Sequence, residues 1–267
     1  MQNYIVDSHC HLDLIEKQGL NITEVINNST QHNVKVLQTI CTKLTEIDNI
    51  LAYTKLHYFI YASAGIHPCN VAEEPKVNCE EIVKICNSNA KIIGIGETGL
   101  DYYHDISGIE DQKISFIEHI KASQETNLPL IIHSRDADLD MMTILEDEQN
   151  KRKFPALLHC FSSSAALAKK ALELGIYISV SGIVTFKNAK DLQEIIKSVP
   201  MKYLLVETDS PYLAPTPYRG KTNQPAYTKH VVEYIAELKG LSIDEVTKQT
   251  TDNFFKIFTK AKRLVTE

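Results

Sequence analysis

The chain has 267 residues, with 28 basic and 34 acidic side chains, a formal net charge of −6 and 43% hydrophobic residues. This ordinary composition excludes a disordered or fibrous protein, and the length fits one large domain or two small ones. The acidic balance argues against a protein that holds nucleic acid through bulk positive charge.

Short aliphatic runs typical of buried strands recur along the chain, each followed by a longer amphipathic stretch. The runs begin about 28 residues apart, which suits one strand-plus-helix unit. In chain order, the predicted strands are Tyr4–Val6, Lys35–Ile40, Phe59–Gly65, Lys91–Glu97, Leu130–His133, Ala156–His159, Ile176–Ser181 and Tyr203–Val206. These units predict an α/β protein that forms a closed (β/α)8 TIM barrel. An open doubly wound sheet is the alternative architecture.

Apolar residues spaced near 3.6 predict helices between the strands, at Asp111–Thr126, Ala165–Leu174 and Leu192–Val199. Extra C-terminal helices are predicted after the eighth strand, at Tyr227–Leu238, Ile243–Thr250 and Asn253–Lys262. The sequence shows no linker and no change of composition along its length, so we expect a single domain over residues 1–267.

The N-terminal segment has neither a basic start nor a long apolar stretch, so no secretory signal is expected. No window reaches the roughly 18–20 apolar residues that span a bilayer, so no membrane span is expected either. The six cysteines are scattered and form no C-x-x-C pair, which favours reduced thiols in a cytoplasmic protein.

Side chains that bind metals stand at five of the predicted strand ends. They are His9 and His11, Glu97, His133, His159 and Asp209. The two N-terminal histidines are residues i and i+2 of an extended segment, so their rings point to the same side. These strand ends form the face on which barrel enzymes place their active sites. Nitrogen and carboxylate ligands without thiolates suit zinc, manganese, magnesium or iron, so the pattern predicts a metal centre.

Six ligands are more than one catalytic ion usually takes from a protein. The sequence therefore predicts two ions about 3.5–4 Å apart that share a carboxylate, as in two-metal hydrolases. Glu97 falls between the two groups in strand order, which makes it the predicted bridge. One ion is predicted on His9, His11, Glu97 and Asp209, and the other on Glu97, His133 and His159.

A series of short motifs carries a resemblance to a known family. The motifs are DSHCHLD, GIHPCN, GETGLDYY, PLIIHSRDA, HCFSSS, ETDSPYLAP, PYRGKTNQP and TTDNFFKIF. In this order they resemble the TatD family of metal-dependent deoxyribonucleases, which belongs to the amidohydrolase-like metallo-barrels. The resemblance implies the same six metal ligands that the strand ends select. It also implies divalent ions as cofactors (Mg²⁺, Mn²⁺ or Zn²⁺) and 3′-to-5′ exonuclease action on single-stranded DNA.

Further residues are candidates for catalysis and substrate binding. Asp209 is the first choice for general base, with a plain ligand role as the alternative. His67 ends the third strand and either contacts a phosphate or leaving group or orients a ligand. Arg135 either clamps a phosphate or pairs with an aspartate to brace its loop. Arg219 and Lys221 follow the eighth strand, where barrel loops often bind phosphates, and are predicted to hold the nucleic-acid strand.

Two other functions stay open beside the nuclease. An acyl-ester hydrolase, such as an aminoacyl-tRNA deacylase, can use the same binuclear barrel. Many such enzymes bridge their ions with a carboxylated lysine, whereas here Glu97 has no lysine among its neighbours. A non-catalytic nucleic-acid-binding or scaffold protein is the second alternative, and the complete ligand set argues against it. DNA is the expected transient partner of a monomer, without a membrane or an obligate protein partner.

Overall fold

A computed structural model describes residues 3–104 and 108–264. Within these residues, eight strands form one sheet in which neighbours are parallel and follow chain order. The strands are β1 Ile5–Cys10, β2 Val34–Thr39, β3 Ile60–Ala64, β4 Ile92–Asp101, β5 Leu130–Arg135, β6 Ala156–Leu158, β7 Tyr177–Val180 and β8 Leu204–Val206. Nearly all of their residues are buried, as expected for aliphatic strands covered on both faces.

The sheet closes where β1 meets the segment that follows β8. Cys10 forms a parallel bridge with Ser210, and the His11 N–H donates to the Ser210 carbonyl at 2.8 Å. The Asp209 N–H donates to the His9 carbonyl at 2.9 Å. This closure confirms the predicted (β/α)8 TIM barrel and excludes the open doubly wound sheet.

Ten helices in the described ranges cover the barrel and follow its last strand. They are α1 Leu12–Lys17, α2 Ile22–Gln31, α3 Ile47–Tyr53, α4 Cys79–Ser88, α5 Ile109–Thr126, α6 Asp138–Lys151, α7 Ala165–Glu173, α8 Lys190–Ser198, α9 Thr228–Lys239 and α10 Ile243–Ile257. α5, α7, α8 and α9 lie within two residues of their predicted bounds. None of the helices in the described part of the chain has the length and apolarity that a membrane span requires.

The C-terminal helix differs from the prediction, which placed two helices at Ile243–Thr250 and Asn253–Lys262. α10 is instead continuous and ends at Ile257. The Thr250 hydroxyl donates to the Val246 carbonyl at 2.9 Å, so a side chain that often ends a helix is satisfied inside it. The polar run Thr-Thr-Asp-Asn therefore does not interrupt the helix.

Three strands extend further toward the site than predicted, among them β5, which continues to Arg135. β1 reaches Cys10, so His9 lies within the strand, and β4 continues to Asp101, so Glu97 lies inside it rather than at its end. The register of β4 against β5 shifts between Ile95 and Thr98, and this irregularity carries Glu97. The polar and glycine residues of this segment concealed the continuing strand, because strand patterns are recognised by their apolar residues.

Candidate metal centre

The six predicted ligands meet at the C-terminal end of the barrel, and the Glu97 carboxylate divides them into two sets. Glu97 Oε2 lies 3.4 Å from His9 Nε2 and 3.9 Å from His11 Nε2. Glu97 Oε1 lies 2.7 Å from His159 Nε2 and 3.1 Å from His133 Nδ1. The two oxygens of one buried carboxylate thus face different imidazoles.

Asp209 completes the first set. Its Oδ1 lies 3.6 Å from His9 Nε2 and 3.5 Å from His11 Nε2, and the two Nε2 atoms are 3.3 Å apart. His9 and His11 are two residues apart in an extended segment, so their side chains project to the same side. The hydrogen bond that closes the barrel, from Asp209 N to His9 O, holds the carboxylate beside them.

His67 lies beside the second set, which contains the predicted His133 and His159. His67 Nε2 lies 3.5 Å from Glu97 Oε1. Its Nδ1 accepts the Cys69 N–H at 3.1 Å, so a neutral His67 carries its proton on Nε2. Burial lowers the pKa of His67 to about 3, which keeps the ring neutral. In this tautomer His67 is a hydrogen-bond donor toward the centre of the site, not a lone-pair ligand.

Two further carboxylates lie next to the ring nitrogens of His133 and His159 that point away from Glu97. His133 Nε2 lies 3.0 Å from Asp101 Oδ2, and His159 Nδ1 lies 3.3 Å from Glu207 Oε1. Glu207 is fully buried and also accepts the Cys160 N–H at 2.6 Å. Such outer partners fix the orientation and tautomer of metal-binding imidazoles. Sequence reasoning missed Glu207, although an acidic residue directly after the apolar β8 was the available signal.

The electrostatics of the centre follow from buried acids beside imidazoles. Burial alone would raise the pKa of Glu97, but the histidines around it, above all His159, hold that pKa well below its usual range. Burial opposes a positive charge on His159, yet Glu97 and Glu207 raise the pKa of this ring well above its usual value. Burial likewise acts to raise the pKa of Asp209, and His11 and His9 bring it down.

The donor set fits divalent metal ions. Imidazole nitrogens and carboxylate oxygens form three groups whose members lie within 4.8 Å of one another: His9 with His11 and Asp209, His9 with Glu97 and His159, and His67 with Glu97 and His133. Nitrogen and oxygen ligands of this kind bind zinc, manganese, magnesium or iron, and deprotonated carboxylates offset the charge of the ion.

A cleft of about 750 Å³ opens over the centre and has Arg135 and Tyr212 in its wall. Arg135 also lines an adjoining cavity of about 800 Å³, and its guanidinium lies 4.6 Å from the Tyr103 ring centroid. No carboxylate of the described residues forms an ion pair with Arg135. Among the described residues, Arg135 therefore has no ion pair with an aspartate that would brace its loop.

The structure does not bring Arg219 and Lys221 into the wall of the cleft. The Arg219 guanidinium lies 3.5 Å from the Phe186 ring centroid, and Lys221 Nζ lies 5.8 Å from that of Tyr218. Besides Arg135, the basic residues Lys17 and Lys43 line the cleft. Both are engaged by acidic neighbours, since Lys17 pairs with Asp13 and Glu46, and Lys43 with Glu73. No motif or spacing in the sequence had pointed to these two lysines.

Comparisons with known proteins identify the family of the chain. The model of the TatD related DNase family matches residues 6–259. An uncharacterized metal-dependent hydrolase of Escherichia coli, YcfH, is 40% identical over 257 residues, with 96% of each chain covered. Another, YabD of Bacillus subtilis, is 37% identical over 254 residues, covering 95% of this chain and 98% of the relative.

Among solved structures, the TatD homologue YjjV of Escherichia coli superimposes with a TM-score of 0.87 at 25% identity. The superposition covers 96% of this chain and 98% of YjjV. Since both the family model and these relatives extend over nearly the whole barrel, the chain belongs to the TatD-related DNase family and is a metal-dependent hydrolase.

Proposed function

We propose that this chain hydrolyses phosphodiester bonds in DNA with two divalent ions, as a 3′-to-5′ exodeoxyribonuclease that acts on single strands or strand ends. The observation that carries the proposal is the Glu97 carboxylate, whose two oxygens face two separate sets of imidazoles. A shared carboxylate between two ligand sets is the arrangement of two-metal hydrolases. The family of DNases to which the chain belongs supports DNA as the substrate class.

The ligand sets distribute as follows. His9, His11, Glu97 and Asp209 would hold one ion, and Glu97, His133 and His159 the other. When bound, Mg²⁺, Mn²⁺ or Zn²⁺ ions lower the pKa of water and neutralise the charge of phosphoryl oxygens. Asp101 and Glu207 would keep the rings of His133 and His159 in the orientation that binding needs.

Asp209 is the proposed general base. Its side chain is 14% exposed to the cleft, against 3% for Glu97, so it is the carboxylate of the centre that an attacking water reaches. The low pKa of Asp209 keeps it ionised and able to accept a proton at neutral pH. His67, with its proton on Nε2, is placed to donate a hydrogen bond to a phosphoryl or leaving oxygen.

Arg135 is the proposed phosphate contact at the mouth of the site. Arg135 lies in the cleft wall with its guanidinium over the Tyr103 ring, and an arginine can bind a phosphate through two parallel hydrogen bonds. Tyr103 and Tyr212 are 61% and 51% exposed, so each offers a ring on which an unpaired base can stack. Arg219 and Lys221 would contact the DNA only outside the cleft. These local contacts suit a transient complex between a monomer and a strand end.

A time course on a 5′-labelled single-stranded oligonucleotide tests the proposal. The protein is incubated with Mg²⁺, Mn²⁺ or Zn²⁺, and in parallel with a chelator. We expect a ladder that shortens from the 3′ end, is lost with the chelator and returns when metal is restored. His32→Ala, at an exposed histidine on the end of α2, is the matched control and should keep full activity.

Two outcomes contradict the proposal. Release of an aminoacyl group from charged tRNA without cleavage of DNA would identify an acyl-ester hydrolase on the same barrel. Binding of the oligonucleotide without cleavage in any of the three metals would identify a non-catalytic binding protein.

A further inference from the structure

We propose that Cys69, Asp101 and His104 form a separate cation site at the edge of the cleft, suited to a borderline-soft divalent ion such as Zn²⁺. One ligand atom from each of these residues lies within 4.8 Å of the other two. None of the three belongs to the six side chains assigned to the proposed two-ion centre. The site is therefore additional to that centre, although Asp101 also lies beside His133.

The local backbone places Asp101 and His104 together. Asp101 ends β4, and its Oδ1 accepts the N–H groups of Tyr103 at 3.0 Å and His104 at 2.8 Å. These bonds fold the turn back on the strand end, which brings His104 Nδ1 to 2.9 Å from Asp101 Oδ2. One carboxylate oxygen thus orders the turn while the other faces the imidazole.

Cys69 comes from the neighbouring strand connection. It lies in a short 3-10 turn, Pro68–Asn70, that follows β3, and β3 is paired with β4 in the sheet. The hydrogen bond from Cys69 N to His67 Nδ1 fixes the backbone at this position. The thiol is partly exposed, as is the His104 ring, so an ion from solution can reach both.

The ligand chemistry selects the ion. A thiolate and an imidazole favour zinc over magnesium or manganese, and a thiolate with a carboxylate balances two positive charges. Tetrahedral bonds of about 2 Å place two light ligand atoms about 3.3 Å apart, so the 2.9 Å pair must open by a few tenths of an ångström. His104 can make this adjustment because its side chain is 55% exposed.

Three protein ligands leave a fourth position open, and all three residues line the cleft. Asp101 Oδ2 also lies 3.0 Å from His133 Nε2, so the site adjoins the ring that borders Glu97 on its other side. An ion held here would add positive charge at the edge of the cleft, beside the histidine centre. A simple Asp101–His104 ion pair is the alternative, and that pair requires no thiol.

Titration of the metal-free, thiol-reduced protein with Co²⁺ tests the site, since a thiolate bound to cobalt gives a near-ultraviolet charge-transfer band that imidazoles and carboxylates do not. We expect this band in the wild type and its loss in Cys69→Ser. Cys160→Ser removes the other thiol that lines the cleft and should keep the band. His104→Ala should weaken binding of the band-forming ion at least tenfold.

A wild type without the band overturns the proposal, and so does a band that persists unchanged in Cys69→Ser. Thermal unfolding shows whether each variant remains folded, and His104→Ala, at an exposed side chain, provides a second test if Cys69→Ser does not. The optical readout is independent of DNA cleavage. A protein that shows the band but leaves DNA intact would keep the cation site and contradict only the proposed nuclease.

Discussion

Replacing Glu207 by glutamine removes one negative charge behind His159 while nearly preserving the shape of the site. Glu207 Oε1 accepts the Cys160 N–H at 2.6 Å and lies 3.3 Å from His159 Nδ1. A glutamine oxygen at the same place can keep both contacts. The amide nitrogen would then occupy the position of Oε2, a buried atom for which no hydrogen bond is found among the described residues. The lost charge is therefore the main perturbation.

The expected effect is weaker binding of the ion on the His159 side of Glu97. Loss of an outer partner of a metal-bound histidine typically lowers metal affinity about 10–100-fold, or about 1.4–2.7 kcal/mol. For Glu207→Gln we expect the metal affinity to fall about tenfold, because the acceptor oxygen remains. For Glu207→Ala we expect the metal affinity to fall by up to about a hundredfold, because the acceptor, the charge and the packing are all removed.

Competition against a chromophoric chelator measures the two dissociation constants directly. One constant should rise in the order wild type, Glu207→Gln, Glu207→Ala, while the other stays within about threefold of the wild-type value. DNA turnover at saturating metal should change less than the affinity does. Equal affinities in all three proteins would refute the assignment of Glu207 as the group that positions His159.

Three further predictions concern the bridge, the cleft and the stability of the fold. Glu97→Gln should leave the fold intact and lower DNA turnover below a tenth of the wild-type rate in metal-replete buffer; a higher residual rate would contradict the bridging role. Arg135→Ala should raise KM for the oligonucleotide about tenfold and change kcat less, since it removes a charge-assisted phosphate contact; an unchanged KM would remove Arg135 from the binding site. Burial lowers the pKa of His119 to about 4, below the value near 6.5 of the unfolded chain. As the pH falls below 6.5, the unfolded chain therefore gains the proton before the folded protein does. The free energy of unfolding then falls between pH 6.5 and pH 4. Relative to His119→Gln, the free energy of unfolding of the wild type should fall by about 2 kcal/mol between pH 7 and pH 5, as measured with urea; a pH-independent difference would contradict the shift.

The barrel was predictable because its signals are local and repeated. Each aliphatic run is a buried strand, and the even spacing of the runs leaves room for one helix between them. The meeting of the six candidate ligands was predictable for the same reason, since each stands at or near a strand end that faces the site. The bounds of β4 were not predictable, because Glu97 lies in an irregular register between glycines and polar residues.

Contacts between distant segments explain the remaining differences. His67 lies close to Glu97 because β3 lies beside β4, and its tautomer depends on a backbone N–H two residues ahead. Glu207 lies close to His159 across the top of the barrel. The two residues are far apart in sequence, so no local pattern predicts their contact. Arg219 and Lys221 were selected from their place after β8, but aromatic rings outside the cleft hold their charged groups.

An anomalous difference map from crystals of the protein loaded with Mn²⁺ or Zn²⁺ would locate the ions directly. We expect two strong peaks, one on each side of the Glu97 carboxylate and about 3.5–4 Å apart. One peak should lie against His9, His11 and Asp209, and the other against His133 and His159. A single peak, or two peaks that do not share Glu97, would contradict the proposed two-ion centre.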